Sequence, residues 1–291
     1  MTGKKLLVKG LFIIGLLICS YPIVSNLIEG YCQKNIIETY SESVCSKETN
    51  DLENEYKKGV EYNGALYSVQ TPNINKTDNV NSILNEDSYN NILNMGNGVM
   101  GSIEIPKINV KLPIYHGTSD EVLSVGVGHV FGSSLPIGGA NTRSVLTGHR
   151  GLPSAKLFTR LDELDKGDLF FIRVLDKTLA YKVSDIKVIL PEDINSIRTE
   201  NGRDLVSLIT CTPYGINTHR LVVTGERVSF VQSEYEDIKP SSLSFREMLF
   251  FSIPLIFIFL VGLLKIKTME FKKKNQSLID NGIEGRVGLP Y

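Results

Sequence analysis

From Met248 to Leu264 the chain runs for seventeen residues without a charge, and five lysines follow by position 274 with only Glu270 against them. At 1.5 Å per residue a helix of that length spans roughly 26 Å, close to the thickness of a bilayer core. Pro254 would kink such a helix, which membranes tolerate. The competing reading is a buried helix of a soluble domain. Lys265, Lys267, Lys272, Lys273 and Lys274 on one flank make a poor core element, and that cluster is expected to stay in the cytoplasm. The other end is similar: Lys4, Lys5 and Lys9 precede the apolar run Leu11 to Val24, and no acid appears before Glu29. This reads as a signal peptide or an uncleaved anchor, and the weak small-residue cleavage signals favour the anchor. Leu16-Leu17-Ile18-Cys19 resembles a lipoprotein box, but Ile18 is bulky where a small residue is needed. With both basic flanks in the cytoplasm, the chain crosses the bilayer twice and residues of roughly 30 to 240 lie outside.

The remaining composition narrows the function. Thirty-one Lys and Arg against 32 Asp and Glu leave a net charge of −1, which argues against nucleic acid as a partner. Four cysteines are too few for a disulfide-built scaffold of this length. Cys32 and Cys45 could pair or stay free. Residues 30 to 60 carry spaced apolar positions among charges and predict polar helix. Residues 71 to 97 hold nine asparagines and few large apolar side chains, a composition that suits a mobile linker or flap.

The texture changes at Gly98. Short alternating or apolar runs recur, among them Val110 to Tyr115, Ser144 to Thr147, Leu169 to Val174, Thr178 to Val183, Ile186 to Leu190, Leu205 to Thr210 and Arg220 to Val228. Gly, Pro, Asn and Asp punctuate them. Such spacing predicts an all-β sandwich or closed barrel. Pro153 to Leu164 is the one helical pattern inside it, with Leu157, Leu161 and Leu164 on one face.

Cys211 ends the run Leu205 to Thr210 and is followed by the turn sequence Thr212-Pro213-Tyr214-Gly215. A thiol at a strand exit is placed to meet a substrate, although most lone cysteines are small buried hydrophobes. A thiol nucleophile needs a proton partner. His149 also leaves a strand-like run and precedes a turn, while His219 competes from the loop after Cys211. His116 and His129 read as structural, each satisfied by nearby backbone. Arg220 opens the next strand and could stabilise the oxyanion of acyl transfer, or simply sit in a weak surface ion pair. No metal-ligand spacing and no phosphate-cradling glycine loop is present, and no cofactor is expected.

Thr147-Gly148-His149-Arg150-Gly151-Leu152-Pro153-Ser154-Ala155-Lys156-Leu157-Phe158 and Thr210-Cys211-Thr212-Pro213-Tyr214-Gly215-Ile216-Asn217-Thr218-His219-Arg220-Leu221 together resemble the pilus-assembling (class C) sortases of Gram-positive bacteria. The likeness covers roughly residues 98 to 230 and the two-anchor layout. It implies a closed β-barrel of about eight strands with short helices, flanked by transmembrane helices. It selects His149 over His219 and implies Cys211 as nucleophile, His149 as general acid and Arg220 as oxyanion and carbonyl ligand, with Thr147, Gly148 and Thr210 beside the substrate. The implied substrate is a Leu-Pro-x-Thr-Gly-like sorting signal, cut between Thr and Gly through a thioester that a pilin lysine resolves. The expected layout is an anchor at 1–29, a helical and lid-like flexible region at 30–97, the catalytic barrel at 98–235, a transmembrane helix at 246–264 and a basic cytoplasmic tail at 265–291. Other readings keep the anchors and change the chemistry: attachment of single proteins to cell-wall peptide amines, a non-enzymatic pilin scaffold, or a plain cysteine protease. The chain departs from the family in one place. The Asp-Pro-aromatic triplet of the usual lid is absent, and Thr71-Pro72-Asn73 is the nearest local match, so a mobile or differently anchored lid is expected.

Overall fold

A computed structural model describes residues 2–71, 80–242 and 244–287. The chain divides into two compact units, one formed by the two chain ends and one by Val24–Ser242. Two long helices, α1 (Thr2–Cys45) and α7 (Phe245–Val287), supply the first unit. Phe12 and Phe257 stack there with ring centroids 5.4 Å apart. Gly15 permits the approach, because a Cβ at that position would come within 3.0 Å of the Phe257 ring. Both helices are long and apolar enough to cross a membrane, and their apolar stretches are almost wholly unburied. A soluble core helix would be covered instead.

In the second unit eight strands close into a barrel. They are β1 (Val99–Ile105), β2 (Val110–His116), β3 (Val127–His129), β4 (Thr142–Thr147), β5 (Leu169–Val174), β6 (Lys177–Ile189), β7 (Asp204–Thr212) and β8 (His219–Val228). The order around the barrel is β1-β2-β3-β4-β7-β8-β6-β5. Closure leaves no unpaired edge. Two pairings are parallel, β2 with β3 and β4 with β7, and the rest are antiparallel. Inward positions such as Ile103, Ile114, Leu146, Phe170, Leu208 and Val223 form the core. The runs at 178 and 186 are one strand, not two: β6 continues through a bulge between Val183 and Asp185. Strand β3 has only three residues, too few for alternation to register.

The remaining helices are α2 (Thr49–Gln70), α3 (Val80–Ile83), α4 (Glu86–Asn91), α5 (Asp120–Val125) and α6 (Gln232–Asp237). The first of these are fixed to the barrel by buried polar contacts. Tyr40 of α1 donates to the Met100 carbonyl at 3.1 Å and accepts from the Leu175 amide at 2.8 Å. The Asn63 side chain of α2 pairs with both backbone groups of Leu135. All four cysteines are free thiols, Cys32 and Cys45 included.

Two expectations need correction. The asparagine-rich stretch is not loose throughout. Within it Tyr89, Ile92 and Leu93 are buried in the main core. Two of its asparagines serve as a cap and a turn residue instead. Asn85 caps α4 by accepting from the Ser88 amide at 2.7 Å, and Asn94 accepts from the amides of Gly96 and Gly98. Pro72 and Asn73 fall outside the described residues. The second correction concerns Pro153 to Leu164, which is loop apart from one 3₁₀ turn, Leu161–Glu163. Leu157 adopts a left-handed φ of 40°, which no α-helix continues through. The leucine spacing still marked burial correctly, since Leu157, Leu161 and Leu164 are all in the core.

His116 and His129 are structural. His116 meets the carbonyls of Gly98 and Ile92 at 3.0 and 2.8 Å. His129 is fully buried, its Nε2 2.8 Å from the Ser134 carbonyl and its Nδ1 3.0 Å from the Tyr89 hydroxyl. A carbonyl only accepts, so Nε2 carries the proton and Nδ1 accepts from Tyr89. Burial pushes this imidazole down to about 4. The unfolded chain takes up a proton near 6.5, so it gains protons before the folded one does. Stability from this group is complete above about pH 6.5 and is lost as pH falls towards 4, by about 3 kcal/mol. Urea unfolding followed by near-ultraviolet circular dichroism should show that decline. His129→Gln should be less stable at pH 7.5 but flatter over the same range.

Candidate active site

Register brings the three candidate residues together. Strands β4 and β7 pair in parallel, from Thr142 opposite Asp204 to Thr147 opposite Ile209, a constant offset of 62 residues. The ladder carries on past the end of β4, because the Gly148 amide donates to the Ile209 carbonyl at 3.1 Å. The next residue is His149, and the same offset sets it opposite Cys211. On the other flank β7 pairs antiparallel with β8, and Cys211 lies directly opposite Arg220. Strands β7 and β8, and the residue two past the end of β4, therefore bring Arg220, Cys211 and His149 into one row, with the cysteine in the middle. Alternation puts all three on the same face of the sheet. His219 pairs with Thr212, one position on, so its side chain belongs to the opposite face. This geometry favours His149 without appeal to any resemblance.

All three residues are half-buried, at the boundary between barrel and solvent. Arg220 is held against its own turn, its Nη1 donating to the carbonyls of Asn217 and His219 at 3.2 and 3.1 Å. Its Nε and Nη2 make no hydrogen bond to the described residues. The turn leaves Cys211 through a cis peptide at Thr212–Pro213 and closes with the Ile216 and Asn217 amides on the Pro213 carbonyl. Gly215 and Asn217 take the left-handed conformations the reversal requires.

The residues next to the row have support roles. Thr210 is 1% exposed and donates its hydroxyl to the Gly148 carbonyl at 2.7 Å. Gly148 is buried as well, and a Cβ there would stand 2.9 Å from the Phe158 ring. Substrate contact was expected of both, but neither presents a group to solvent. They lock the end of β4 to β7 and so fix where His149 starts. Thr147, half-buried on the Cys211 face, bonds the Ile209 carbonyl at 3.3 Å.

Away from the row, the same face carries Val145, Ile209 and Val222, packed with Ile189 and Ile197 from the β6–β7 side. A cavity of about 560 Å³ opens beside them, lined by Val145, Arg143, Phe131, Ile197, Arg198 and Gln70. Its size suits a short extended peptide.

Arg150 was legible only as part of a motif. Its side chain is 4% exposed and ion-pairs with Asp162. Its Nη1 donates to the Thr212 hydroxyl at 3.1 Å, and its guanidinium lies 5.9 Å from the Tyr214 ring centroid. One buried cation thus joins the residue after His149 to the residue after Cys211. Breaking a buried pair from one side costs about 3–5 kcal/mol, whereas one neutral hydrogen bond is worth about 1 kcal/mol. Urea titration should place Arg150→Ala in the first range and Thr212→Val in the second. Equal losses for the two variants would mean that Asp162 does not anchor the guanidinium.

Three comparisons place the chain among known proteins. The Sortase domain family matches residues 103–228. Sortase D of Bacillus subtilis is 34% identical over 132 residues, which are 44% of this chain and 64% of that protein's length. The crystal structure of sortase C1 from Streptococcus agalactiae superposes with a TM-score of 0.61 at 42% identity, covering 68% of this chain and all of the other. Sortase C from Clostridium perfringens, solved with the C-terminal cell wall sorting motif, gives 0.57 at 43% identity over 67% of this chain and 99% of that one. A closed eight-stranded barrel, the match to the Sortase domain and alignment over the whole length of class C structures lead to one assignment: the chain belongs to the sortase family of cysteine transpeptidases, and its structural neighbours are of class C.

Proposed function

We propose that this chain is a membrane-anchored pilin polymerase that joins subunits through isopeptide bonds. The observation that carries the reading is the row in which Cys211 lies between His149 and Arg220. The Cys211 thiolate attacks the Thr carbonyl of a Leu-Pro-x-Thr-Gly-like signal, forming a carbon–sulfur bond. Arg220 stabilises the oxyanion with the guanidinium nitrogens its own turn leaves open. His149, protonated at this stage, gives its proton to the glycine nitrogen as the carbon–nitrogen bond breaks. A lysine amine of the next pilin then attacks the thioester. It loses a proton to His149, and the thiolate departs. The cycle ends with the protons where they began, and one acyl bond replaces another, so no nucleotide is consumed. Thr147 and the cavity beside Val145 are where the donor peptide would lie.

In this reading residues 1–29 and 246–264 anchor the chain, 265–291 stay in the cytoplasm, and the 30–97 region and the 98–235 barrel face outward. The class C neighbours, more identical to this chain than the curated sortase D, favour a pilin lysine over a cell-wall amine as acceptor.

Mass spectrometry of the full chain mixed with a Leu-Pro-x-Thr-Gly peptide tests this directly. A thioester on Cys211 should form and pass to an added pilin lysine. Cys211→Ala should form none, and Arg220→Ala should slow acylation by about 10²–10³. Hydrolysis alone, with the pilin present, would refute polymerisation. Transfer to a glycine-type amine instead would make the chain a cell-wall-anchoring enzyme.

A further inference from the structure

The cavity beside Val145 carries a charge that its apolar floor does not explain. Two arginines line it, Arg143 and Arg198, with no acidic residue among the described ones. Arg143 is 4% exposed; its Nη2 pairs with Glu200 at 2.5 Å and its Nη1 donates to the Ser207 hydroxyl at 3.2 Å. Its Nε is buried with no partner among the described residues. Glu200 is shared, because it also ion-pairs with Arg203. Arg198 is exposed and has no ion-pair partner among the described residues. The walls around these cations are tied together through one side chain. Gln70 of α2 accepts from the Thr199 hydroxyl at 3.1 Å and donates to the Gly132 carbonyl at 3.3 Å. Tyr67, one turn earlier, bonds Asn201 at 3.0 Å. An arginine on an open surface is satisfied by water, whereas one facing a walled space is completed by a ligand's negative charge.

Strand geometry sets how far along a bound peptide these charges lie. Arg143 stands six residues before His149 and, by alternation, on the same face. At about 3.3 Å per residue it is roughly 20 Å from the row. An extended donor with its Thr carbonyl at Cys211 puts the Leu of the signal about 10 Å up the same path. That falls between Ile209 and Val145, which lie about 7 and 13 Å from the row by the same rise. Both belong to one apolar cluster with Val222. The pentapeptide therefore ends before the arginines are reached. Their level corresponds to the second or third residue before the leucine.

We propose that Arg198 and Arg143 form a specificity site for a carboxylate, selecting donors that carry Asp or Glu two or three residues before the Leu-Pro of the sorting signal. The carboxylate accepts from the open Arg198 guanidinium, within the field of the buried Arg143. Leu, Pro and Thr are shared by all donors in this reading and cannot tell one from another, whereas upstream charge can. The inference rests on the donor path of the transpeptidase reading above.

The test measures binding apart from chemistry. Fluorescein-labelled peptides Ala-Ala-Z-Z-Ala-Leu-Pro-Ala-Thr-Gly, with Z as Glu or Gln, are titrated by anisotropy against the full chain carrying Cys211→Ala in detergent micelles. The Glu peptide should bind roughly three- to tenfold more tightly than the Gln peptide, the scale of one favourable ion pair. Equal Kd values for the two overturn the proposal. A third peptide, with its two Glu placed after the Gly, should bind like the Gln peptide. If it binds like the Glu peptide, general charge attraction replaces the site. Arg198→Ala should bring the Glu/Gln ratio towards one, and Arg198→Glu should favour a peptide with Lys at Z. A ratio unchanged by both variants assigns the preference elsewhere and refutes the site. Acylation of Cys211 in the unmodified chain, followed by mass spectrometry with the same peptides, tests the reading beneath. Acylation with equal affinities removes the specificity site and keeps the enzyme, whereas a Glu preference without acylation keeps the site and removes the transpeptidase.

Discussion

The parallel pairing of β4 with β7 is the constraint on which the site depends. Parallel neighbours cannot be joined by a tight turn, so the chain must travel out and return between them. Here the excursion contains β5, β6 and the loop that follows His149. Once β7 is seated beside β4, a fixed offset sets His149 against Cys211, and the antiparallel partner β8 supplies Arg220 from the other side. The three candidate groups need no special loop conformation to find one another. Strand register is the positioning device, and a one-residue slip would turn the cysteine to the other face.

Around that register the polar contacts are concentrated where the strands end. Thr210 clasps Gly148, Phe158 fills the space that a side chain at Gly148 would need, and Arg150 bridges to Thr212 and Asp162. Each acts one residue away from a member of the row. The row is thus held by neighbours buried in the protein, while its own side chains stay half-exposed and open to substrate. Arg220 follows the same logic, since its turn occupies one guanidinium nitrogen and leaves others for an incoming carbonyl.

Much of this was readable in the sequence, for reasons that differ by element. Long apolar runs with one-sided lysines identify the terminal helices because no soluble core tolerates such a flank. Strands of six or more residues announce themselves by alternation; Cys211 and His149 stood out at strand exits and Arg220 at a strand start. What failed did so where local composition and tertiary packing diverge. Nine asparagines between 71 and 97 read as a linker, yet Asn85 caps α4 and Asn94 holds the turn before β1. The leucines after Pro153 had helical spacing, but a left-handed Leu157 buries them without a helix. The resemblance implied Thr210 beside the substrate, but alternation puts it on the inner face, where it bonds the Gly148 carbonyl. The contacts of the loop after His149 gave no signal, because its partners lie more than a hundred residues earlier in the chain or about eighty later.

The excursion between β4 and β7 also governs when the thiol acquires its chemistry. Bringing the ends of so long a segment together carries a loop-closure cost that no local contact repays. The row forms only after β5 and β6 have taken their places between the outer strands. A chain that has shed the β5–β6 hairpin contains a cysteine but no histidine beside it. The full barrel is the condition for the row, so the thiol, the imidazole and the guanidinium meet only in the completed fold.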